Sequence, residues 1–492
     1  MRPLPCHSRW IWRRRKPWFL TTGSTFSKGL ARGRLSRRSI GPGRRGWYDQ
    51  GRAGFSSGPQ SPVLLLLART GPAWWGPLKS TRPQGRLGAA FRKLWAAAAL
   101  SNLGDGIALV AAPLLMAQIT RNPTLVAGLA FCQQLPWLLF PLFSGALADR
   151  LDRRRALVAV GLCRAVVLAA IGVAVVLDMM TVPLLFALLF LLTTAETFVD
   201  TAAAALLPSI VDREQLPRAN ARLAGTLTVT NQFLGKPLGG LLFATAAALP
   251  FLLGAGGVAA AALFILAFGG VLHGAGREAT SRRPLRREIG EGLRWLVRHR
   301  LLRTVAVCLA LLNVTVVAQN AVLVLFAQDV LGLSGFGYGV LISTYGACGV
   351  LGSLIAERVI ERLGAGKILR WALVVEAAIP AAIALSDSPV VVGLLLALFG
   401  CHAVIWGALL TALRQQLTPD GLRGRVESAY RLIESGGAAP GALLGGILAT
   451  HLGLAAPYWL GAAVALGLIP FAWPVFSDAN VQRAHREAEA PV

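Results

Sequence analysis

The chain has 492 residues, of which 55% are hydrophobic and 15% are charged. A soluble protein of this length usually carries about a quarter charged residues, so the composition argues against a soluble protein. The net charge of +26 is distributed unevenly along the chain, because residues 1–90 hold 18 Lys and Arg against one acid, Asp49. The remaining excess lies mainly in short turns between apolar runs, so we expect no nucleic-acid partner.

Residues 1–90 form a basic segment rich in Arg, Gly, Pro, Ser and Trp, without a helical or strand period. We predict a disordered arm. Its apolar run 63–68 is too short to span a membrane. Two interpretations remain open: attraction to anionic lipid headgroups at the cytoplasmic face, and an overextended start of a chain that truly begins near Phe91.

From Phe91 onward, apolar runs long enough to cross a bilayer follow one another. We predict an all-α membrane protein with twelve transmembrane helices. They cover residues 94–118, 124–147, 155–177, 181–206, 222–246, 249–272, 302–327, 336–357, 367–386, 389–411, 427–449 and 455–476.

The turns between these runs are basic on one side. The turns after the even-numbered runs carry many Lys and Arg, whereas the other turns carry Arg121. Basic turns stay in the cytoplasm, so we predict a multi-pass protein of the cell membrane with both termini cytoplasmic.

The chain repeats itself after six runs. A glycine-rich stretch in the fifth run, Gly235-Lys-Pro-Leu-Gly-Gly240, has a counterpart in the eleventh, Pro440-Gly-Ala-Leu-Leu-Gly-Gly446. We therefore predict two halves of six helices each. As helix-packing residues we single out Gly235, Pro237, Gly239, Gly240, Pro440, Gly441, Gly445 and Gly446.

This repeat defines the predicted domains. Residues 91–272 form the first half and residues 302–476 the second. Residues 273–301 form a cytoplasmic linker, in which Glu288–His299 has the apolar spacing of an interfacial helix. Residues 477–492 form a cytoplasmic tail.

The loop after the second run reads Gly145-Ala-Leu-Ala-Asp-Arg-Leu-Asp-Arg-Arg-Arg155. This pattern resembles the signature loop of the major facilitator superfamily, between its second and third spans. The resemblance implies a conformational gate that latches the cytoplasmic side shut. Its residues would be Gly145, Asp149, Arg150, Arg153 and Arg154.

Shorter motifs resemble one branch of that superfamily, the macrolide-efflux and enterobactin-exporter group of drug:proton antiporters. They are Ser101–Gly106, Leu207-Pro208, Leu216–Asn220, Gly290–Arg294 and Gly424-Arg425-Val426. One position departs from the pattern, because Lys236 separates Gly235 from Pro237 where the group usually has Gly-Pro. This departure puts the conventional coupling geometry in doubt.

Ionisable side chains inside apolar runs are costly and usually face the protein interior. We therefore predict a proton-coupling or substrate site formed by Asp105, Arg164, Glu196, Asp200 and Glu376. Asp105 is the first candidate proton carrier and Glu196 the second. A structural ion pair between Arg164 and an acid is the competing interpretation. Asn313, Gln319, Asn320, His402 and Trp406 are further candidates for the cavity wall.

No catalytic set, phosphate-binding loop, zinc spacing or disulfide framework is present, so we predict neither an enzyme nor a metal site nor a cofactor. The preferred function is proton-coupled efflux of hydrophobic small molecules or drugs by a monomer. The alternatives are a dedicated metabolite or siderophore exporter, an importer of the same fold, and a non-transporting membrane receptor or scaffold.

Overall fold

A computed structural model describes residues 87–140, 153–266 and 285–489. These residues form helices joined by short loops and contain no strand. The first half contains α1 (Ala89–Ile119), α2 (Pro123–Leu139), α3 (Arg153–Val176), α4 (Val182–Ile210), α5 (Leu216–Leu227), α6 (Lys236–Thr245) and α7 (Leu249–Leu266). A π-helical segment, Thr228–Gly235, joins α5 to α6 without a break.

The rest of the chain contains α8 (Leu285–Arg298), α9 (Arg300–Leu325), α10 (Gly335–Leu363), α11 (Ala365–Ala384), α12 (Pro389–Leu417), α13 (Arg423–Leu452), α14 (Ala456–Ala472) and α15 (Asp478–Glu489). Phe326–Val330 extends α9 as a second π-helical segment.

Local sequence explains where the helices begin and end. Asn122 caps α2, since its side chain accepts the backbone N–H of Thr124 at 2.9 Å, and Pro123 occupies the first turn. Gly364 and Gly453 end α10 and α13 with φ angles of 80° and 89°, a conformation that favours glycine. Each helix therefore ends at its glycine, and the next helix begins within a few residues.

The all-α membrane fold is confirmed. Among the described residues, eight helices are long and apolar enough to cross a membrane by length and composition. Each of the twelve predicted runs is overlapped by a helix, but α2 and α14 have 17 residues each and α11 carries Lys367, Arg370 and Glu376. The count of twelve spans stays a prediction.

Glycines bring helices into backbone contact in the same way in both halves. A Cβ atom on Gly239 of α6 would lie 2.5 Å from the carbonyl oxygen of Ile107 on α1. A Cβ on Gly441 of α13 would lie 2.5 Å from the carbonyl oxygen of Val314 on α9. The crossing of α1 with α6 therefore has its counterpart in the crossing of α9 with α13.

The two halves meet where α1, α6, α9 and α13 end. Arg121 bonds Asp329 at 3.0 Å and Gln328 at 2.8 Å across the halves. The hydroxyls of Thr124 and Thr450 are 2.8 Å apart. Gly240 packs on Gly335, and Gly446 packs on Ala127. These contacts close one end of the molecule.

The amphipathic linker segment forms the helix α8, which packs on the second half. Leu296 is 1% exposed and belongs to the same apolar cluster as Val426 and Tyr430, and Arg425 bonds Glu291 at 2.6 Å. Leu293 and Val297 remain exposed. One apolar edge thus contacts protein, and the placement of the other edge on lipid stays a prediction.

Candidate functional site

A cavity of about 340 Å³ lies between the two halves. Helices α1, α2 and α6 supply one wall, and α9 to α12 with α14 supply the other. Its polar side chains are Gln133, Gln134, Lys236, Gln319 and Asn320, and its aromatic side chains are Tyr338, Tyr345, Phe399 and Tyr458. A mostly apolar cavity with a few polar groups, shared by two halves, is where a small-molecule ligand usually binds.

Lys236 is the charged residue of this cavity. It begins α6 directly after the π-helical segment, and 6% of its surface is exposed. Its ammonium group donates to Oε1 of Gln232 at 2.8 Å, one turn earlier. Helix distortions of this kind often mark functional positions, because they aim a side chain that a regular helix would place elsewhere.

A second polar site lies inside the first half. Arg164 on α3 is 2% exposed and donates through Nη2 to Oδ1 of Asp105 on α1. Its Nη1 donates to Oγ of Ser101 at 3.3 Å, and Ser101 donates to Oδ2 of Asp105 at 3.4 Å. The structure thus brings together Asp105 and Arg164 as an ion pair held by a serine.

Two more predicted residues lie near this ion pair. Glu196 and Asp200, one turn apart on α4, interact electrostatically with both Arg164 and Asp105. Asp105, Arg164 and Asp200 line a cavity of about 100 Å³ between α1, α3, α4 and α7. One carboxyl group therefore pairs with the buried guanidinium, and two more on α4 interact with it over a longer distance; we call these four residues the first-half cluster.

Glu376 lies apart from the first-half cluster. It is on α11 in the second half, is 8% exposed, and has Oε1 3.5 Å from Nε2 of His402 on α12. The imidazole of His402 lies beside the rings of Phe399 and Trp406. Of the other candidates, Gln319 and Asn320 line the large cavity, while Asn313 donates to the carbonyl of Glu434.

Most of the predicted gate loop lies outside the residues that the structure describes. Gly145, Asp149 and Arg150 lie outside the described residues, and of Arg153 and Arg154 the structure describes the backbone alone, at the start of α3. Their role stays a prediction. In the described part of the chain, no group of three or more His, Cys, Asp or Glu is placed to hold a metal ion.

The aromatic wall of the large cavity was missed from the sequence. Tyr338, Tyr345, Phe399 and Tyr458 stand in apolar runs that also contain exposed aromatic residues such as Phe336, which is 44% exposed. The composition of these runs does not distinguish aromatic residues that line the cavity from those on the surface. The sequence does single out Lys236. The internal repeat places Ala442 at the corresponding position of the second glycine-rich stretch, so a lysine there is unexpected.

The chain is similar to known transporters. Two uncharacterised MFS-type transporters, from Mycobacterium bovis and Mycobacterium tuberculosis, are each 33% identical over 148 residues, which is 30% of this chain. The matched stretch spans 33% of those relatives' length.

Solved structures resemble the chain over most of its length. The nucleoside transporter NupG has a TM-score of 0.63 at 13% identity, covering 79% of this chain and 99% of its own. A bacterial homologue of the iron transporter ferroportin, in an inward-facing state, has a TM-score of 0.58 at 18% identity, covering 79% and 97%. At sequence identities this low, the structural similarity shows a shared fold. The family model for transmembrane secretion effectors matches residues 84–489, and the chain therefore belongs to this family of major facilitator transporters.

Proposed function

We propose that this transporter exports hydrophobic small molecules in exchange for protons entering the cell. The observation that carries the proposal is the first-half cluster, in which Asp105 pairs with a buried arginine and Glu196 and Asp200 interact electrostatically with both. When all four groups are ionised, the cluster carries an excess of negative charge in a place where charge is costly. Binding one proton removes part of that excess, so protonation biases the equilibrium between two conformations.

The contacts favour Glu196 as the proton carrier. Proton binding at Asp105 must first disrupt its bonds with Arg164 and Ser101. Among the described residues Glu196 has no ion pair to break, and Thr193, on the same helix, donates to the backbone carbonyl of Leu189. Asp105 then holds Arg164 in place, and Glu196 exchanges the proton.

The mostly apolar and aromatic wall of the large cavity supports a hydrophobic substrate. The basic turns support an orientation with both termini in the cytoplasm, in the cell membrane. In that orientation, the end closed by Arg121 and Asp329 is extracellular. An exporter loads its substrate from the cytoplasm, which is the side opposite this end.

The proposal is tested with purified protein in lipid vesicles. Ethidium, N-phenylnaphthylamine and anilinonaphthalene sulfonate are hydrophobic probes whose charge does not change with pH, so a pH gradient does not redistribute them passively. We expect protein-dependent accumulation of at least one probe in the compartment from which protons leave. Accumulation that survives collapse of the pH gradient would contradict proton coupling, and accumulation in the opposite direction would indicate an importer.

A further inference from the structure

We propose that Lys236 binds the anionic group of an amphipathic substrate, one with an aromatic or aliphatic body and a carboxylate, sulfonate or phosphate. This inference rests on the proposed function, because it names the class of molecule that the large cavity takes.

The first argument is the charge of the cavity. Among its described lining residues Lys236 is a cation, and none is Asp, Glu or Arg. Gln232 accepts one of the three ammonium N–H bonds, and no other described side chain accepts from this group. A buried charge is costly unless an opposite charge or several hydrogen bonds compensate it. An anionic ligand supplies that compensation.

A second hydrogen-bonding group, in the opposite wall of the same cavity, is also without a partner. Tyr458 on α14 is 2% exposed, and its hydroxyl has no hydrogen-bond partner among the described residues. A phenol donates readily to a carboxylate, sulfonate or phosphate oxygen. Because Lys236 and Tyr458 come from opposite halves, one anion that contacts both would draw the halves together.

The repeat shows that the fold does not need this lysine for packing. Lys236 corresponds to Ala442, which is completely buried in the second half. The backbone surroundings are alike, since both positions lie between glycines that contact a neighbouring helix. A small apolar side chain therefore suffices at this place, and the lysine adds a charge that packing does not require.

The rest of the wall fits the body of such a substrate. Tyr345 and Phe399 have ring centroids 6.1 Å apart and both face the cavity. Leu109, Val126 and Ile383 add aliphatic surface. Aromatic and aliphatic side chains bind a hydrophobic body with little selectivity, so the anion at Lys236 sets the class of substrate.

The test compares two probes that share one aromatic body. Anilinonaphthalene sulfonate carries a sulfonate, and N-phenylnaphthylamine lacks it. Equilibrium binding is measured by fluorescence with purified protein in a neutral detergent, against wild type, Lys236→Gln, Lys236→Arg and Lys367→Gln. Lys367 is exposed on α11 and does not line the cavity, so its variant controls for the loss of one surface charge.

We expect wild type to bind the sulfonate more tightly than the neutral probe. Lys236→Gln should lose about tenfold or more in affinity for the sulfonate, as expected when a charge-assisted hydrogen bond is lost. Its affinity for the neutral probe should not change. Lys236→Arg should retain most of the sulfonate affinity, and Lys367→Gln should match wild type.

Two results would overturn the inference. One is a wild-type protein that binds the neutral probe or ethidium more tightly than the sulfonate, a comparison that needs no variant to fold. The other is a Lys236→Gln variant that loses affinity equally for both probes. Binding at equilibrium needs no proton gradient, so a protein that binds the sulfonate selectively but does not pump would contradict the proposed coupling and leave this inference standing.

Discussion

Arg164 on α3 and Asp105 on α1 form an ion pair, with the Arg164 side chain 2% exposed, the Asp105 side chain 16% exposed, and Nε of Arg164 without a hydrogen-bond partner among the described residues. This pair ties two helices of the first half together. Glu196 and Asp200 place further negative charge near the same guanidinium. In the proposed mechanism, the pair is the fixed part of the first-half cluster, and Glu196 is the part that changes charge without breaking it.

The first prediction separates these two roles. Glu196→Gln should lose pH-dependent, uphill transport, because an amide cannot bind and release the proton. It should keep substrate exchange between equal concentrations on both sides. Asp105→Asn should lose both, since Arg164 is left without its anion. Vesicle assays of accumulation and of exchange measure the difference. Uphill transport retained in Glu196→Gln, but lost in Asp105→Asn with exchange intact, would make Asp105 the proton carrier.

The second prediction concerns stability. Arg164→Ala leaves Asp105, whose side chain is 16% exposed, without its partner, and breaking a buried ion pair costs about 3–5 kcal/mol, which sets the upper end of the expected loss. The exposed pair Arg121–Asp329, with side chains 58% and 43% exposed, is the matched comparison. Removing an exposed partner costs about 0–1 kcal/mol, so Arg121→Ala should leave the melting temperature nearly unchanged. Thermal unfolding in detergent measures the melting temperature of both variants. Equal decreases in Arg164→Ala and Arg121→Ala would indicate that the Arg164–Asp105 pair is solvated.

The third prediction uses two glycines of α13. Gly441→Ala places a methyl group 2.5 Å from the carbonyl oxygen of Val314, and a backbone atom cannot yield by rotation. Gly436→Ala has no atom within 4 Å of the new methyl group. Overpacking typically costs about 1–3 kcal/mol, so Gly441→Ala should lower the melting temperature while Gly436→Ala should not. Equal melting temperatures would mean that α9 and α13 are not in backbone contact.

Hydropathy and internal repetition predicted the helices, because a run such as 389–411 is apolar and long enough to exclude other structures. An ion pair of Arg164 with an acid was among the interpretations, but the sequence did not separate Glu376, which lies in the second half, from the acids near Arg164. Asp105 and Arg164 pair because of how α1 and α3 are rotated about their axes, and apolar runs carry little information about rotation. The π-helical segment before Lys236 was missed for a related reason. It forms where Gly106 and Gly235 bring two backbones together, and that is a tertiary contact.

The fourth prediction tests orientation. In a cysteine-free background, a cysteine at Asp387, between α11 and α12, should react with a membrane-impermeant thiol reagent added to intact cells. A cysteine at Gly421, between α12 and α13, should react after the cells are opened. Both positions are exposed, so burial does not explain a difference. Basic turns are expected in the cytoplasm, and Gly421 lies beside Arg423 and Arg425. The reverse labelling pattern would invert the proposed orientation.

The last prediction concerns the closed end, where Thr124 of α2 faces Thr450 of α13 across the two halves. Their hydroxyl oxygens are 2.8 Å apart, so cysteines at both positions have sulfur atoms close enough for a disulfide. In the same cysteine-free background, oxidation of Thr124→Cys with Thr450→Cys should link the halves and hold this end shut. Since alternating access needs this end to open, transport should stop on oxidation and return on reduction. Each single-cysteine variant, oxidised in parallel, should keep its transport, which controls for damage by the oxidant. Full transport by the cross-linked protein would mean that this end stays closed throughout the cycle, and that the substrate leaves by another route.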